Sequence, residues 1–151
     1  HTPYDVEELF KGLLKDAEGM KNPWLKKLVL KVLSEPQLVT RYKRAPAAKV
    51  MHHAYIGGLL EHVAGLCGLA KQIAAHYPEL DVDLLLTAAM LHDVGKLDEL
   101  CFERAVSYTT EGQLLGHISP RHLRERRLQE GRPESAACKE GARTAPCFPI
   151  L

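Results

Sequence analysis

Apolar residues at helical spacing, interrupted by proline and glycine, run through most of this chain. Val6, Leu9, Phe10, Leu13 and Leu14 recur every three or four positions, and so do Leu25, Leu28, Val29, Val32 and Leu33. That period lines one face of an α-helix; a strand would alternate with a period of two. Thr2-Pro3 is expected to open the first helix, with Thr2 as its cap and Pro3 in the first turn, where a missing N–H costs nothing. Gly19 is expected to stop it. Asn22-Pro23 opens a second helix by the same chemistry, and Ser34-Glu35-Pro36 ends it and begins a short one through Tyr42. Leu59 to His76 is a long helix, with Leu59, Leu60, Val63, Leu66, Ala70 and Ile73 expected inward. Tyr77-Pro78 stops it, and Asp81 or Asp83 starts the next, which runs through Met90. Thr110-Glu111-Gly112-Gln113 has the form of a capping box, opening a helix with Leu114, Leu115, His117 and Ile118. There is no strand-period alternation, internal repeat or G-x-G-x-x-G. The expected fold class is all-α, a multi-helix bundle around one core.

Composition narrows the function classes. The chain has 151 residues, 46% of them hydrophobic, which suits one packed domain and argues against disorder. A net charge of +1 gives by itself no sign of a polyanionic partner. Lys26, Lys27 and Lys31 lie off an apolar stripe and are expected to form a solvated face. No apolar run approaches the ~18 residues of a membrane-spanning helix. The four cysteines, Cys67, Cys101, Cys138 and Cys147, form no C-x-x-C pair. A reducing, cytoplasmic setting with free thiols is therefore expected.

One compositional break stands out. Ten lysines and three arginines lie in residues 1–118, whereas one lysine and six arginines lie in 119–151. The expected organisation is a helical domain over 1–119 and an atypical Arg-rich tail over 120–151, irregular or partly helical, with weak apolar periodicity after Gly131.

The residues with the most chemistry are Met90-Leu91-His92-Asp93-Val94-Gly95-Lys96. An imidazole and a carboxylate stand side by side at the end of an apolar helix. Adjacent helical residues point ~100° apart, so the pair converges on one ion only near a helix end. His62 lies early in the preceding helix, and the break at Tyr77-Pro78 allows the two helices to run antiparallel and bring His62 beside His92. Neutral imidazoles and carboxylates converging from different elements are what a divalent metal requires. Lys96 could neutralise a phosphate oxygen. Glu61 and Asp98 are candidates to orient the ligand rings. Taken singly, His62 is an ordinary half-buried helix residue and Lys96 a cation near a helix C-terminus. The combination of His62, His92, Asp93 and Lys96 points to a site.

These motifs carry a resemblance. Pro46-Ala47-Ala48-Lys49, His52-His53-Ala54-Tyr55, Gly57-Gly58-Leu59-Leu60-Glu61-His62, His92-Asp93-Val94-Gly95-Lys96 and Tyr108-Thr109 through Gly116-His117-Ile118 resemble the HD-domain superfamily of metal-dependent phosphohydrolases. Within it they look like the HD domain of bacterial YhaM-type 3′→5′ exoribonucleases, over roughly residues 3–119. The resemblance implies an all-helical fold and phosphodiester hydrolysis by metal-activated water, on RNA, oligonucleotides or nucleotides. It implies His62, His92 and Asp93 as metal ligands, with His117 as a further ligand or a ligand to a second ion. Asp93 and Lys96 would be catalytic, and His53, Gly58 and Lys96 would contact substrate. The implied cofactor is one or two divalent ions, Mn²⁺ first, with Fe, Co, Ni, Zn or Mg as alternatives. No membrane partner is expected; a homo-oligomer is compatible with an apolar face left open.

The departure from the family pattern is as specific. That pattern ends in a distal aspartate ligand, and no aspartate follows Asp98 in this chain; the acids after residue 119 are Glu125, Glu130, Glu134 and Glu140. A truncated or frame-shifted HD domain is the expectation that covers both this and the compositional break. The alternative function is a catalytically impaired remnant that binds metal or nucleotide as a helical module.

Overall fold

The computed structural model describes residues 1–49, 53–101 and 107–109. Among these residues it is an all-α bundle, as the apolar spacing predicts. The elements are α1 (Val6–Glu18), α2 (Pro23–Leu33), α3 (Pro36–Arg44), α4 (Gly58–His76), α5 (Val82–Leu91) and the single turn α6 (Lys96–Glu99). Leu100–Cys101 (β1) pairs antiparallel with Ser107–Tyr108 (β2), a two-residue ladder that the sequence did not announce. The expected capping-box helix at 110–118 and the tail at 120–151 lie outside the described residues.

Helix starts follow side-chain capping chemistry. Asn22 Oδ1 accepts from the backbone N–H groups of Trp24 and Leu25, and Pro23 occupies the first turn. Asp81 caps α5, accepting from Asp83 and Leu84. The start of α1 differs from expectation. Asp5, not Thr2, is its cap, accepting from Glu7 and Glu8. Thr2 is used at long range instead. Its N–H donates to Ile56 O at 3.0 Å and its hydroxyl to Glu61 Oε2 at 2.6 Å, which pins the start of the chain onto the start of α4.

The core is built where α1, α3 and α5 close around α4 and α2 packs against α1, α3 and α5. Leu13, Val29, Tyr42, Leu59, Leu60, Val63 and Met90 are fully buried there. Ile73, expected inward, is 39% exposed, because the last turn of α4 extends past its neighbours into solvent with Gln72, Ala75 and His76. Leu28, at 43%, likewise lies off the buried Val29–Leu33 edge of α2. Tyr42 donates its hydroxyl to Met90 O at 3.3 Å, tying α3 to the end of α5, and burial keeps its phenol protonated well above the usual range. Cys67 is a free thiol, which burial pushes up to about 11. Cys101, partly exposed at the end of β1, is disulfide-bonded, which corrects the expectation of free thiols throughout.

Asp83 is the buried carboxylate that sets the α1–α2 turn against α5. Its Oδ2 accepts from the backbone N–H groups of Lys21 at 2.7 Å and Asn22 at 2.6 Å. Charge-assisted hydrogen bonds of this kind contribute more than neutral ones, and removing their acceptor strands two donors. Asp83→Ala is expected to destabilise the fold by about 3 kcal/mol. Asp83→Asn, which keeps an acceptor oxygen, should cost markedly less. Equilibrium urea unfolding of both variants checks this.

Candidate metal centre

His62 and the His92-Asp93 pair meet because α4 and α5 are antiparallel. α4 ends at His76, Tyr77-Pro78 turns the chain, and α5 returns so that its C-terminus lies beside the first turns of α4. His92 is the C-cap of α5, and Asp93 follows in a turn. That helix-end position lets two adjacent side chains converge. His92 Nε2 lies 3.1 Å and His62 Nε2 3.6 Å from the same oxygen, Asp93 Oδ2. The three potential ligand atoms all lie within 4.8 Å of one another. Asp93 is 5% exposed, His62 23% and His92 40%, so the cluster has a buried carboxylate floor and opens to solvent at His92.

Burial lowers the His62 pKa below its ordinary value; Asp93 opposes that, and His92, Lys96 and His53 add to it. The ring is thus biased to its neutral, ligating form. The second nitrogen of His92 is oriented by backbone, not by a carboxylate: Nδ1 lies 3.0 Å from Ala89 O. Glu61 and Asp98 do not take the ring-orienting roles expected of them. Asp98 pairs with Arg41, 3.1 Å from its guanidinium, and Arg41 also donates to Leu97 O. Glu61 faces His53 at 3.6 Å.

Lys96 is held inside the cluster. Its ammonium lies 2.9 Å from Asp93 Oδ2 and donates to Ala47 O at 2.7 Å, so two of its three donors bind the protein. It therefore balances the buried Asp93 charge and ties α6 to the loop after α3.

His53 and Gly58 come to the same place. The His53 ring centroid is 5.7 Å from that of His62, which is 5.6 Å from that of His92. His53 has φ +57°, a left-handed conformation that costs a non-glycine residue roughly 1–2 kcal/mol. The turn is held by Ala47 N–H donating to His53 O at 3.0 Å. Gly57, at φ +83°, starts α4 in the same left-handed region. Gly58 needs no special φ; it needs the absence of a side chain, because a Cβ there would lie 2.1 Å from His53 O. The Gly57-Gly58 pair thus supplies both a turn and a close backbone approach. His117 and His52 lie outside the described residues. Sequence reasoning missed Tyr55, whose hydroxyl lies 3.0 Å from His53 Nδ1 and donates to Glu61 Oε2 at 2.9 Å. Its place two residues after His53, in a turn before Gly57-Gly58, was the available signal.

Glu61 is drawn in two directions. Burial works to raise its pKa, but hydrogen bonds from Thr2 and Tyr55 and the nearby His53 outweigh it, and the net shift is downward. Burial and the bond to Glu61 raise Tyr55, so the phenol keeps its proton and the carboxyl stays ionised.

A family model of the HD domain matches residues 59–130, which include His62, His92 and Asp93. Over those residues the chain matches the HD-domain family. The 3′-5′ exoribonuclease YhaM of Halalkalibacterium halodurans is 38% identical to it over 118 residues, 78% of this chain and 36% of that protein. The chain thus spans about a third of the length of this relative. No solved structure matches it. An HD domain implies divalent-metal binding, and His62, His92 and Asp93 are a group that could hold such an ion. Among the described residues, no helix of this HD domain is long and apolar enough to cross a membrane.

Proposed function

We propose that this HD domain hydrolyses phosphodiesters, in RNA, oligonucleotides or nucleotides, with a divalent ion bound by His62, His92 and Asp93. The observation that carries the reading is the convergence of two imidazole nitrogens and one carboxylate oxygen within 4.8 Å. Ligands ~2.0–2.2 Å from one ion, at tetrahedral or octahedral angles, stand about 3.0–3.5 Å apart. The 3.1 and 3.6 Å separations from Asp93 Oδ2 are close to that spacing. Two imidazoles and a carboxylate suit Mn, Fe, Co, Ni or Zn better than Mg, and Mn²⁺ is our first choice. Such an ion would polarise a phosphoryl oxygen and lower the pKa of a bound water.

The chain's own residues do the rest. Asp93, nearly buried, fixes the anionic floor of the site. Lys96, with two donors on Asp93 and Ala47, has a third for a non-bridging phosphate oxygen. His53 and Gly58 line the approach to His62. In the same reading His117 is a further ligand, residues 1–119 form the catalytic unit and 120–151 an atypical tail. RNA as substrate is supported by the name of the relative, a 3′-5′ exoribonuclease. A cytoplasmic location and homo-oligomer formation complete the reading, and cell fractionation and light scattering test those two parts.

Dialysed protein should show metal-dependent turnover of bis(p-nitrophenyl) phosphate and, with Mn²⁺, should shorten a 5′-labelled RNA from its 3′ end. Turnover of the small diester without RNA shortening would keep the phosphohydrolase and remove the exoribonuclease. Failure of both, with or without bound metal, would favour the second reading, a catalytically impaired binding module.

A further inference from the structure

We infer that Lys49 and Tyr108 form a second substrate subsite beside the metal cluster. It holds the neighbouring nucleotide of a single-stranded RNA, with the base stacked on the Tyr108 ring and a phosphate paired with the Lys49 ammonium. The inference rests on the phosphohydrolase reading above and narrows its substrate to a single strand longer than one nucleotide. Both residues belong to sequence motifs, Pro46-Ala47-Ala48-Lys49 and Tyr108-Thr109, that supply no candidate ligand to the ion. Far apart in the chain, they meet in the fold: Lys49 Nζ stands over the Tyr108 ring, 5.5 Å from its centroid. Both side chains are open to solvent, Tyr108 by 37%.

Lys96 tethers both residues to the cluster. Its ammonium lies 2.9 Å from Asp93 Oδ2 and donates to Ala47 O at 2.7 Å. Lys49 follows two residues later, its Cα within roughly 8 Å of that of Ala47. Lys96 also opens α6, and Thr109 is bound to the end of that turn. The Thr109 N–H donates to Glu99 O at 2.8 Å and its hydroxyl to Asp98 O at 2.8 Å. Tyr108, the residue before it, pairs with Leu100 across the ladder. A strand with one phosphate at the ion therefore brings its next nucleotide within reach of both side chains. Neither is needed to hold the backbone there. Thr109, 6% exposed, anchors β2, and among the described residues Lys49 is in no ion pair and the Tyr108 hydroxyl in no hydrogen bond. An exposed aromatic face beside a cation is how proteins hold single strands, since every base has a π-face and every linkage a charge. The 5.5 Å spacing is near the ~6 Å limit of cation–π attraction, so the ammonium gives up little when it turns to a phosphate. In a duplex the bases already stack on one another, and the Tyr108 ring has no free base face to take.

The test is binding of a short fluorescein-labelled oligoadenylate, followed by anisotropy on metal-free protein so that the strand stays intact. Tyr108→Leu should weaken binding about five- to a hundredfold, whereas Tyr108→Trp, which keeps a stacking face, should not. Lys49→Met should lower the slope of log Kd against log salt concentration by about 0.7, the signature of one lost phosphate contact on a single strand. Two changes on α2 serve as controls and should alter neither quantity: Trp24→Leu, at an aromatic that is 78% exposed, and Lys27→Met, at an exposed lysine. The matching RNA duplex should bind wild type and Tyr108→Leu equally. A second readout needs no variant: stacking should move the Tyr108 ring protons upfield as oligoadenylate is added. Wild-type protein that does not bind the strand, a Tyr108→Leu variant with wild-type affinity, a Lys49→Met variant with an unchanged slope, or Tyr108 signals unmoved at saturation each overturns the subsite. The reading beneath it fails separately. Turnover of bis(p-nitrophenyl) phosphate with Mn²⁺ but no strand binding keeps the phosphohydrolase and removes the subsite; strand binding through Tyr108 without any turnover does the reverse.

Discussion

Asp93→Asn is expected to abolish specific divalent-metal binding and to lower phosphodiester turnover about a thousandfold, a loss of about 4 kcal/mol of transition-state stabilisation. The size follows from where the carboxylate sits. One oxygen, Asp93 Oδ2, is within 3.6 Å of His62 Nε2, His92 Nε2 and Lys96 Nζ together. Replacing it with a neutral amide removes a ligand and leaves the Lys96 ammonium, which is 19% exposed, without its anion. Two measurements separate these effects. Thermal unfolding with Mn²⁺ at a hundred times its Kd should stabilise the wild-type chain by about 2.7 kcal/mol, and the variant not at all. Isothermal titration should show one binding event in the wild type and none in Asp93→Asn. An equal thermal gain in both proteins would place the ion elsewhere and sink the ligand assignment.

Gly58→Ala is expected to be the most damaging single-methyl change in the bundle, costing about 3 kcal/mol or more. A Cβ at Gly58 would lie 2.1 Å from the His53 carbonyl oxygen and 2.9 Å from its carbon. These are backbone atoms, and Ala47 N–H already holds that oxygen in place, so no side-chain rotation relieves the contact. The turn at His53 would have to move, and the His53 ring with it, away from His62. Gly65→Ala is the matched control on the same helix. A Cβ there meets nothing within 4 Å, and an exposed glycine inside a helix weakens it by roughly 0.5–1 kcal/mol relative to alanine. Gly65→Ala should therefore stabilise the chain by about that amount. Urea midpoints moving in opposite directions for the two variants would establish that close approach, and not helix propensity, sets the requirement at Gly58. A Gly58→Ala variant with a wild-type midpoint would refute it.

Local pattern made the helices legible. Asn22-Pro23 and Tyr77-Pro78 act within a few residues, and their signals survive in a short window of sequence. The Gly57-Gly58 pair was legible as a turn or close approach, although not which backbone it approaches. Misreadings arose where a side chain finds its partner far along the chain. Thr2 reads as a helix cap, yet its hydroxyl is committed to Glu61, fifty-nine residues away. Asp83 reads as one of two alternative caps, yet it is a buried acceptor for the α1–α2 turn, sixty-two residues from Lys21. Glu61 and Asp98 read as supports for the ligand rings because of where they stand in the sequence, while their actual partners, His53 and Arg41, come from other elements.

By itself the sequence determined the all-helical class, the placement of His92-Asp93 at a helix end, and the residue types that a metal-dependent phosphohydrolase would require. Those are consequences of periodicity, capping and donor chemistry, each local to a few residues. Tertiary structure alone decided that His62, His92 and Asp93 share one carboxylate oxygen as their meeting point, that Lys96 is tied to Asp93 and Ala47, and that His53 stands in a left-handed turn on Gly58. The reason is physical: helix period and caps arise from forces acting over one turn, whereas these contacts exist only once α4 and α5 have packed antiparallel and Arg44, Ala45, Ala47 and His53 have been hydrogen-bonded to one another and to the start of α4.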